Sequence, residues 1–429
     1  MLQPAPTQGD TTWFTHDRFG MFIHWGLYAL PARHEWVKSR EKITDEDHQV
    51  YFDHFDPDLY DPYVWAASAK DAGMKYVVLT AKHHEGFCLW DTAQTDYKVT
   101  NTPYGKDLLG PYVTAFREAG LRVGFYYSLI DWHHPDFPVD VFHPYRDHPD
   151  EEVARMNEGR DIGRYALYMR EQVRELLTAF TPDVIWYDFS YPGLPYKNLP
   201  GKGHKDWESE ELLALTRELR PDIIVNNRLD LPGSADIHTP EQFQPREWVR
   251  VDGQPVVWET CQTFSGSWGY HRDETSWKSP EQLIQMLVNT VSTGGNLLMN
   301  VGPTGRGTFD RRAEDALEVY GRWLRLHGRS IYGCTQSEFA APSGCRFTQN
   351  GNRLYLHVFD WPFRHLHLDG FVGRVAYAQL LNDASEVRRL EPGKHGEWSI
   401  AETAEGTLTL ELPVLKPEVV VPVVELFLK

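Results

Sequence analysis

The sequence is poor in cysteine, short of positive charge and without a long apolar run, and each shortage removes a class of function. Its four cysteines, Cys88, Cys261, Cys334 and Cys345, show none of the paired spacings of zinc or thiol-redox motifs. No stretch approaches the roughly 20 apolar residues of a membrane span. No Asn-x-Ser/Thr acceptor occurs, and the start Met1-Leu2-Gln3-Pro4-Ala5-Pro6 has neither the basic end nor the apolar run of a secretory leader. These absences point to a reducing cytoplasm, with export left open where a leader has been trimmed. Lys and Arg number 43 against 61 Asp and Glu, a net charge of -18, so nucleic acid and anionic membrane surfaces are not expected partners. Neither G-x-G-x-x-G nor G-x-x-x-x-G-K-S/T is present, so the usual phosphate-cradling turns are missing. G-x-S-x-G and H-E-x-x-H are absent as well, which leaves no serine-hydrolase elbow and no zincin helix. No metal and no cofactor is expected.

Aromatic residues are plentiful: 15 Trp, 21 Tyr and 21 Phe. Sugar rings present apolar C–H faces that stack on aromatics, although a large core also consumes them. A chain of 429 residues is long enough for such a core and for two domains. Residues 1–331 alternate strand-like and helix-like segments. Strand candidates are Arg18–Gly26, Lys75–Thr80, Leu121–Ser128, Asp183–Tyr187, Asp222–Arg228, Ala235–Glu241, Val256–Glu259 and Asn296–Gly302. Helix candidates stand between them, among them Asp107–Ala119, Asp161–Phe180, Ser279–Thr293 and Arg311–His327. Alternation of this kind implies a parallel sheet with right-handed crossovers. Eight units predict an α/β fold, a (β/α)8-like TIM barrel; an open doubly wound sheet is the alternative. Residues 332–429 lose the helical period. Short strand-like runs such as Arg353–Phe359, Val375–Leu381 and Val419–Leu428, parted by turns such as Asn350-Gly351-Asn352, predict a C-terminal antiparallel β-sandwich domain.

Polar residues recur where apolar strands end: His24, His83, His84, Tyr127, Asp188, Arg228, Glu241 and Glu259. In a parallel barrel the carboxyl ends of the strands ring one mouth, where catalytic groups sit. Asp183-Val184-Ile185-Trp186-Tyr187-Asp188 is the sharpest case, an apolar run closed by a carboxylate. Asp188 reads as a glycosidase nucleophile, or more plainly as a cap on the following turn. His83 and His84 are adjacent, so on a strand they would face opposite ways, which disfavours a shared metal. Dispersed neutral His, Trp and Tyr groups suit a ligand with many hydroxyls and no charge.

Five blocks together resemble the retaining α-L-fucosidases: Phe22-Ile23-His24-Trp25-Gly26, Lys82-His83-His84-Glu85-Gly86-Phe87, Trp186-Tyr187-Asp188, Trp258-Glu259-Thr260-Cys261 and Ser267-Trp268-Gly269-Tyr270. A sixth, Gly294 to Pro303, extends the match over some 300 residues in the family's order. The resemblance implies a catalytic barrel, a C-terminal β-sandwich and hydrolysis with retention of configuration, acting on a fucosylated oligosaccharide or glycoconjugate. It implies Asp188 as nucleophile, and a fucose pocket of His24, Glu35, Trp36, His83, His84, Tyr127, Arg228 and Trp268, with Tyr126 as the alternative to Tyr127. For the acid/base the chain offers Glu241, Glu247 and Glu259. Glu241, 13 residues beyond Arg228, fits the family's spacing best, and Glu259 is left to tune or support the site. Apolar neighbours Pro240 and Phe243 would hold Glu241 protonated by desolvation. A glycosidase acting on another hexose such as galactose, or a sugar-binding protein without catalysis, is the alternative function. The oligomeric state stays open, a homo-oligomer included.

Overall fold

The computed structural model describes residues 3–392 and 404–429. Its centre is a parallel sheet of seven strands: β1 (Phe19–Ile23), β2 (Tyr76–Lys82), β3 (Arg122–Ser128), β4 (Val184–Asp188), β5 (Ile224–Val225), β6 (Glu259–Thr263) and β7 (Asn296–Val301). They lie in the order β5-β4-β3-β2-β1-β7-β6, every pair parallel. All but one of their residues are buried, as expected of a sheet covered on both faces. Between the two edges runs the segment Ile237–Glu241. It makes parallel bridges just beyond β5 at Asn226 and on the β6 side at Trp258 and Cys261.

Period-two alternation divides the strand side chains between two apolar layers. One face carries Phe22, Val78, Tyr126, Val184, Trp186, Ile224, Cys261 and Leu298 in a single inner cluster, with Phe14 from an N-terminal helix packed at one end. The opposite face carries Met21, Val77, Tyr127, Ile185 and Leu297, packed on the helices. Those helices are bounded by side-chain caps. Asp161 accepts from Gly163 N at the start of Ile162–Phe180, and Ser279 forms a capping box with Gln282 at the start of Pro280–Ser292. Each cap is worth ~1 kcal/mol and fixes where the following crossover begins.

Beyond Tyr332 the chain forms two antiparallel sheets. The larger has the order β8-β9-β10-β15-β12, built from β8 (Thr335–Gln336), β9 (Cys345–Asn350), β10 (Arg353–Val358), β12 (Val375–Leu380) and β15 (Val423–Leu428). The smaller pairs β11 (His365–Asp369), β14 (Thr407–Glu411) and β13 (Arg388–Leu390). Leucines from both, such as Leu356, Leu366, Leu410 and Leu426, share one apolar cluster. The larger sheet also leans on the helix Arg311–His327, where Trp323 Nε1 donates to the Val421 carbonyl at 2.9 Å.

Two expected strands lie elsewhere. Val256–Glu259 was predicted to end in the acid, whereas Glu259 is the first residue of β6. The apolar pair Val257-Trp258 precedes the sheet: Trp258 packs over Gly295 and bridges His238, and regular pairing begins at Glu259 with Asn296. Asp222–Arg228 shortens to Ile224–Val225, and Asn227–Leu229 is a 3-10 turn that carries Arg228.

Candidate active site

Asp188 is the last residue of β4, on the inner face with Val184 and Trp186. The next residue, Phe189, has φ 84°, a left-handed conformation that costs a non-glycine residue ~1–3 kcal/mol. Its ring is gripped by Trp36 at 5.2 Å, His84 at 5.1 Å and Phe142 at 5.0 Å. Packing of the ring therefore holds the sharp turn that lifts Asp188 into the pocket.

Asp188 carries two donors. Tyr126 Oη donates to Oδ2 at 2.7 Å, and Arg228 Nη1 donates to Oδ1 at 3.0 Å. The same guanidinium donates from Nη2 to Glu241 Oε2 at 3.0 Å. Two carboxylates on two nitrogens of one planar fork are confined to a few ångströms of each other. Arg228 is itself fixed by Thr239, through Oγ1 at 3.0 Å and the carbonyl at 3.1 Å, and it lies 4.8 Å above the Trp186 ring. Burial pushes the Asp188 carboxyl up to about 6; Arg228 pulls it down, Glu241 pushes it up, and the Tyr126 hydrogen bond pulls it down. The Glu241 side chain is 41% exposed and Phe243 is 62% exposed, so the apolar wall expected around Glu241 is not there. Its defined neighbour is a guanidinium.

Three histidines converge beside this pair. His24 follows β1, while His83 and His84 sit on the turn after β2 rather than on the strand. The alternation expected of them does not apply there: both line the pocket, with ring centroids 4.0 Å apart. Gly86, with φ 85°, lets that turn reverse; a Cβ on it would come within 2.1 Å of Asp131 Oδ1. His24 Nδ1 meets Asn300 Oδ1 at 2.7 Å, and His84 Nδ1 meets Ser128 Oγ at 2.7 Å. Desolvation lowers all three rings, His24 to about 3, so they are neutral at pH 7.

Glu35 closes another side. Its Oε2 accepts the backbone N–H of Trp268 at 3.1 Å and of Gly269 at 2.9 Å, holding the Trp268 loop over His24, 5.1 Å ring to ring. Burial raises the Glu35 carboxyl against these bonds. Trp36 packs edge-on against His84 at 4.9 Å and Trp132 at 5.2 Å.

The structure thus brings His24, Glu35, Trp36, His83, His84, Asp188, Glu241 and Trp268 to one pocket, with Arg228 bridging its carboxylates. Two of the expected residues lie away from it. Tyr127 points outward and donates to Gln172 Oε1 at 2.7 Å, so Tyr126 is the tyrosine of the doublet that reaches Asp188. Glu259 lies at the opposite end of the inner face, where it accepts from the Tyr76 hydroxyl and, at 3.3 Å, from Trp186 Nε1. Burial pushes its carboxyl up to about 7. Glu247 is exposed and lines no part of the pocket. Sequence reading missed Phe22, Trp186, Phe189, Cys261 and Asn300. Asn300 carried the same signal as the others, a polar residue near the carboxyl end of an apolar strand.

Residues 5–329 match the sequence profile of the family described as Alpha-L-fucosidase. Alpha-L-fucosidase isoenzyme 1 from Paenibacillus thiaminolyticus superposes with a TM-score of 0.90 at 44% identity, over 98% of this chain and 98% of that one. An alpha-L-fucosidase from Bacteroides thetaiotaomicron, solved as a covalent intermediate trapped with 2-fluoro-fucosyl fluoride, superposes with a TM-score of 0.84 at 27% identity, over 100% of this chain and 98% of that one. The curated alpha-L-fucosidase of Dictyostelium discoideum is 29% identical, covering 97% of this chain and 91% of its own.

Proposed function

Because the chain belongs to the α-L-fucosidase family of glycoside hydrolases, we propose that it releases terminal α-L-fucosyl residues from fucosylated glycans by double displacement. Asp188 is the nucleophile and Glu241 the acid/base. The observation that carries this assignment is the Arg228 fork, with one nitrogen on each carboxylate at the end of β4. Retaining glycosidases need their two carboxyl groups about 5–5.5 Å apart. Two groups tied to one guanidinium suit that separation.

In the first step Asp188 attacks the anomeric carbon, the glycosidic C–O bond breaks, and the Glu241 proton passes to the departing oxygen. In the second, Glu241 takes a proton from water as the water oxygen attacks the same carbon, and the bond to Asp188 breaks. Arg228 and Tyr126 hold Asp188 ionised against its burial before attack. The aromatic wall of Phe22, Trp186, Phe189 and Trp268 suits the apolar C–H faces and the methyl group of fucose.

The same reading covers the architecture. The bridges of Ile237–Glu241 to both sheet edges support that segment as the closing strand of a (β/α)8 barrel. It sets the catalytic domain at residues 1–331, with residues 332–429 a β-sandwich beside it and the cytoplasm as the site of action.

Incubation with 2-fluoro-fucosyl fluoride followed by peptide mass spectrometry tests the assignment. The expected result is one 2-fluorofucosyl ester on the peptide containing Asp188, with loss of activity on nitrophenyl α-L-fucoside. Labelling on another carboxylate, or turnover of a nitrophenyl galactoside in preference to the fucoside, overturns it.

A further inference from the structure

Two buried relays decide which nitrogen carries the proton on two of the three pocket histidines. Asn300 Nδ2 lies 2.6 Å from the Trp268 carbonyl, which can only accept. The amide nitrogen must therefore face that carbonyl, which turns the amide oxygen to His24 Nδ1 at 2.7 Å. An amide oxygen gives no proton, so His24 Nδ1 carries one. Ser128 Oγ lies 2.7 Å from the Ile130 carbonyl, which draws the only hydroxyl proton. The same oxygen accepts Ile130 N–H at 3.0 Å and faces His84 Nδ1 at 2.7 Å. His84 Nδ1 must then be a donor too. Both rings are neutral at pH 7, so neither has a second proton. Neither Nε2 has a partner among the described residues, and both rings line the pocket.

We propose that Asn300 and Ser128 are positioning residues that lock His24 and His84 in the Nδ1–H tautomer, so that the pocket offers two bare Nε2 acceptors and reads two sugar hydroxyls by the protons they donate. The inference rests on the sugar-cleaving function proposed above. His83 is the contrast: its Nδ1 is buried without a partner, so the fold does not choose its tautomer. Specificity then lies in the hydroxyl proton and not only in the shape of the pocket. A fluorine or a methyl ether in place of either hydroxyl keeps an electronegative atom and loses the donor. Each such analogue should bind or turn over about 10- to 100-fold less well, because a buried acceptor is left unpaired.

The experiment uses enzyme labelled with 15N in its histidine rings, unliganded, near pH 7, with the His24 and His84 signals assigned by replacing each in turn with Asn. The expected spectrum has a protonated Nδ1 and an unprotonated Nε2 for both. Ser128→Ala should release the His84 tautomer alone and raise KM for nitrophenyl α-L-fucoside more than it lowers kcat, while Ser128→Thr, which keeps the hydroxyl, restores both. Asn300→Leu should do the same to His24; should it fail to fold, the Ser128 pair decides. A protonated Nε2 in the wild type overturns the proposal, as does a Ser128→Ala enzyme whose His84 tautomer is unchanged. The expected spectrum in an enzyme that cleaves no fucoside would leave the lock standing and sink the function instead.

Discussion

Tyr126 Oη stands 2.7 Å from Asp188 Oδ2 and gives it a proton-sharing partner at the end of β4. That bond favours the charged carboxylate and pulls its pKa down against burial. Under the proposed double displacement the acidic limb of kcat/KM reports ionisation of Asp188 in the free enzyme, and it should fall near pH 6. In Tyr126→Phe the limb should move to higher pH, with more activity lost at pH 5 than at pH 8. A limb that stays put or moves down would show that Tyr126 does not act through Asp188.

Glu241→Gln tests the acid/base role. The basic limb should vanish, because no group remains that must be protonated. Rates on natural fucosides, whose alkoxides leave poorly, should fall by about 10²–10⁴, and rates on a nitrophenyl fucoside by much less. Equal losses on both substrates would remove Glu241 from the acid/base role.

Asp188→Ala should lose activity by several orders of magnitude while keeping the wild-type circular dichroism spectrum and melting temperature to within a few degrees. Azide should restore turnover and give a glycosyl azide of inverted configuration, since the anion enters where the carboxylate stood. Near-wild-type rates without azide would disprove the assignment.

Glu259 makes a prediction about stability. Its carboxyl stays neutral in the folded protein up to about pH 7, against 4.5 as the ordinary value. Between those two values the folded chain holds a proton that the unfolded chain has released, so this group's contribution to stability declines as pH rises and levels off above 7. The loss across the window is on the order of 3 kcal/mol. Glu259→Gln does not titrate, so its melting temperature should fall less than the wild type's between pH 5 and pH 8. It should show none of the leaving-group dependence of Glu241→Gln. Parallel melting profiles would mean that Glu259 is ionised in both states.

The legible parts of this chain were those where hydrophobic pattern and chemistry point the same way. Asp188 stood out because four apolar strand residues, Val184 to Tyr187, precede it and a loop follows; the helix Arg311–His327 was expected at the bounds observed. Tyr126 and Tyr127 could not be separated, because both are apolar enough for either face. The phase is set across strands, by Phe22 and Val78 on one side and Trp186 on the other, all in the inner cluster. β6 was misplaced because its residues, Glu-Thr-Cys-Gln-Thr, are mostly polar yet wholly buried. The apolar signal falls on Val256-Val257-Trp258 instead. Glu241 ends the strand candidate Ala235–Glu241, which the structure joins to its neighbours only by single bridges.

The pocket is assembled from both ends of the first 300 residues. Glu35 holds the amides of Trp268 and Gly269, more than 230 positions later in the chain, and His24 is oriented by Asn300, 276 positions later. A ribosome delivers these partners tens of seconds apart at about 5–20 residues per second. For that interval a nascent chain carries a carboxylate and an imidazole whose permanent partners do not yet exist. No fragment that stops short of β7 can have a working pocket, however well its first strands pair. A cell that makes this protein therefore gains fucose-cleaving capacity no earlier than the synthesis of the seventh strand.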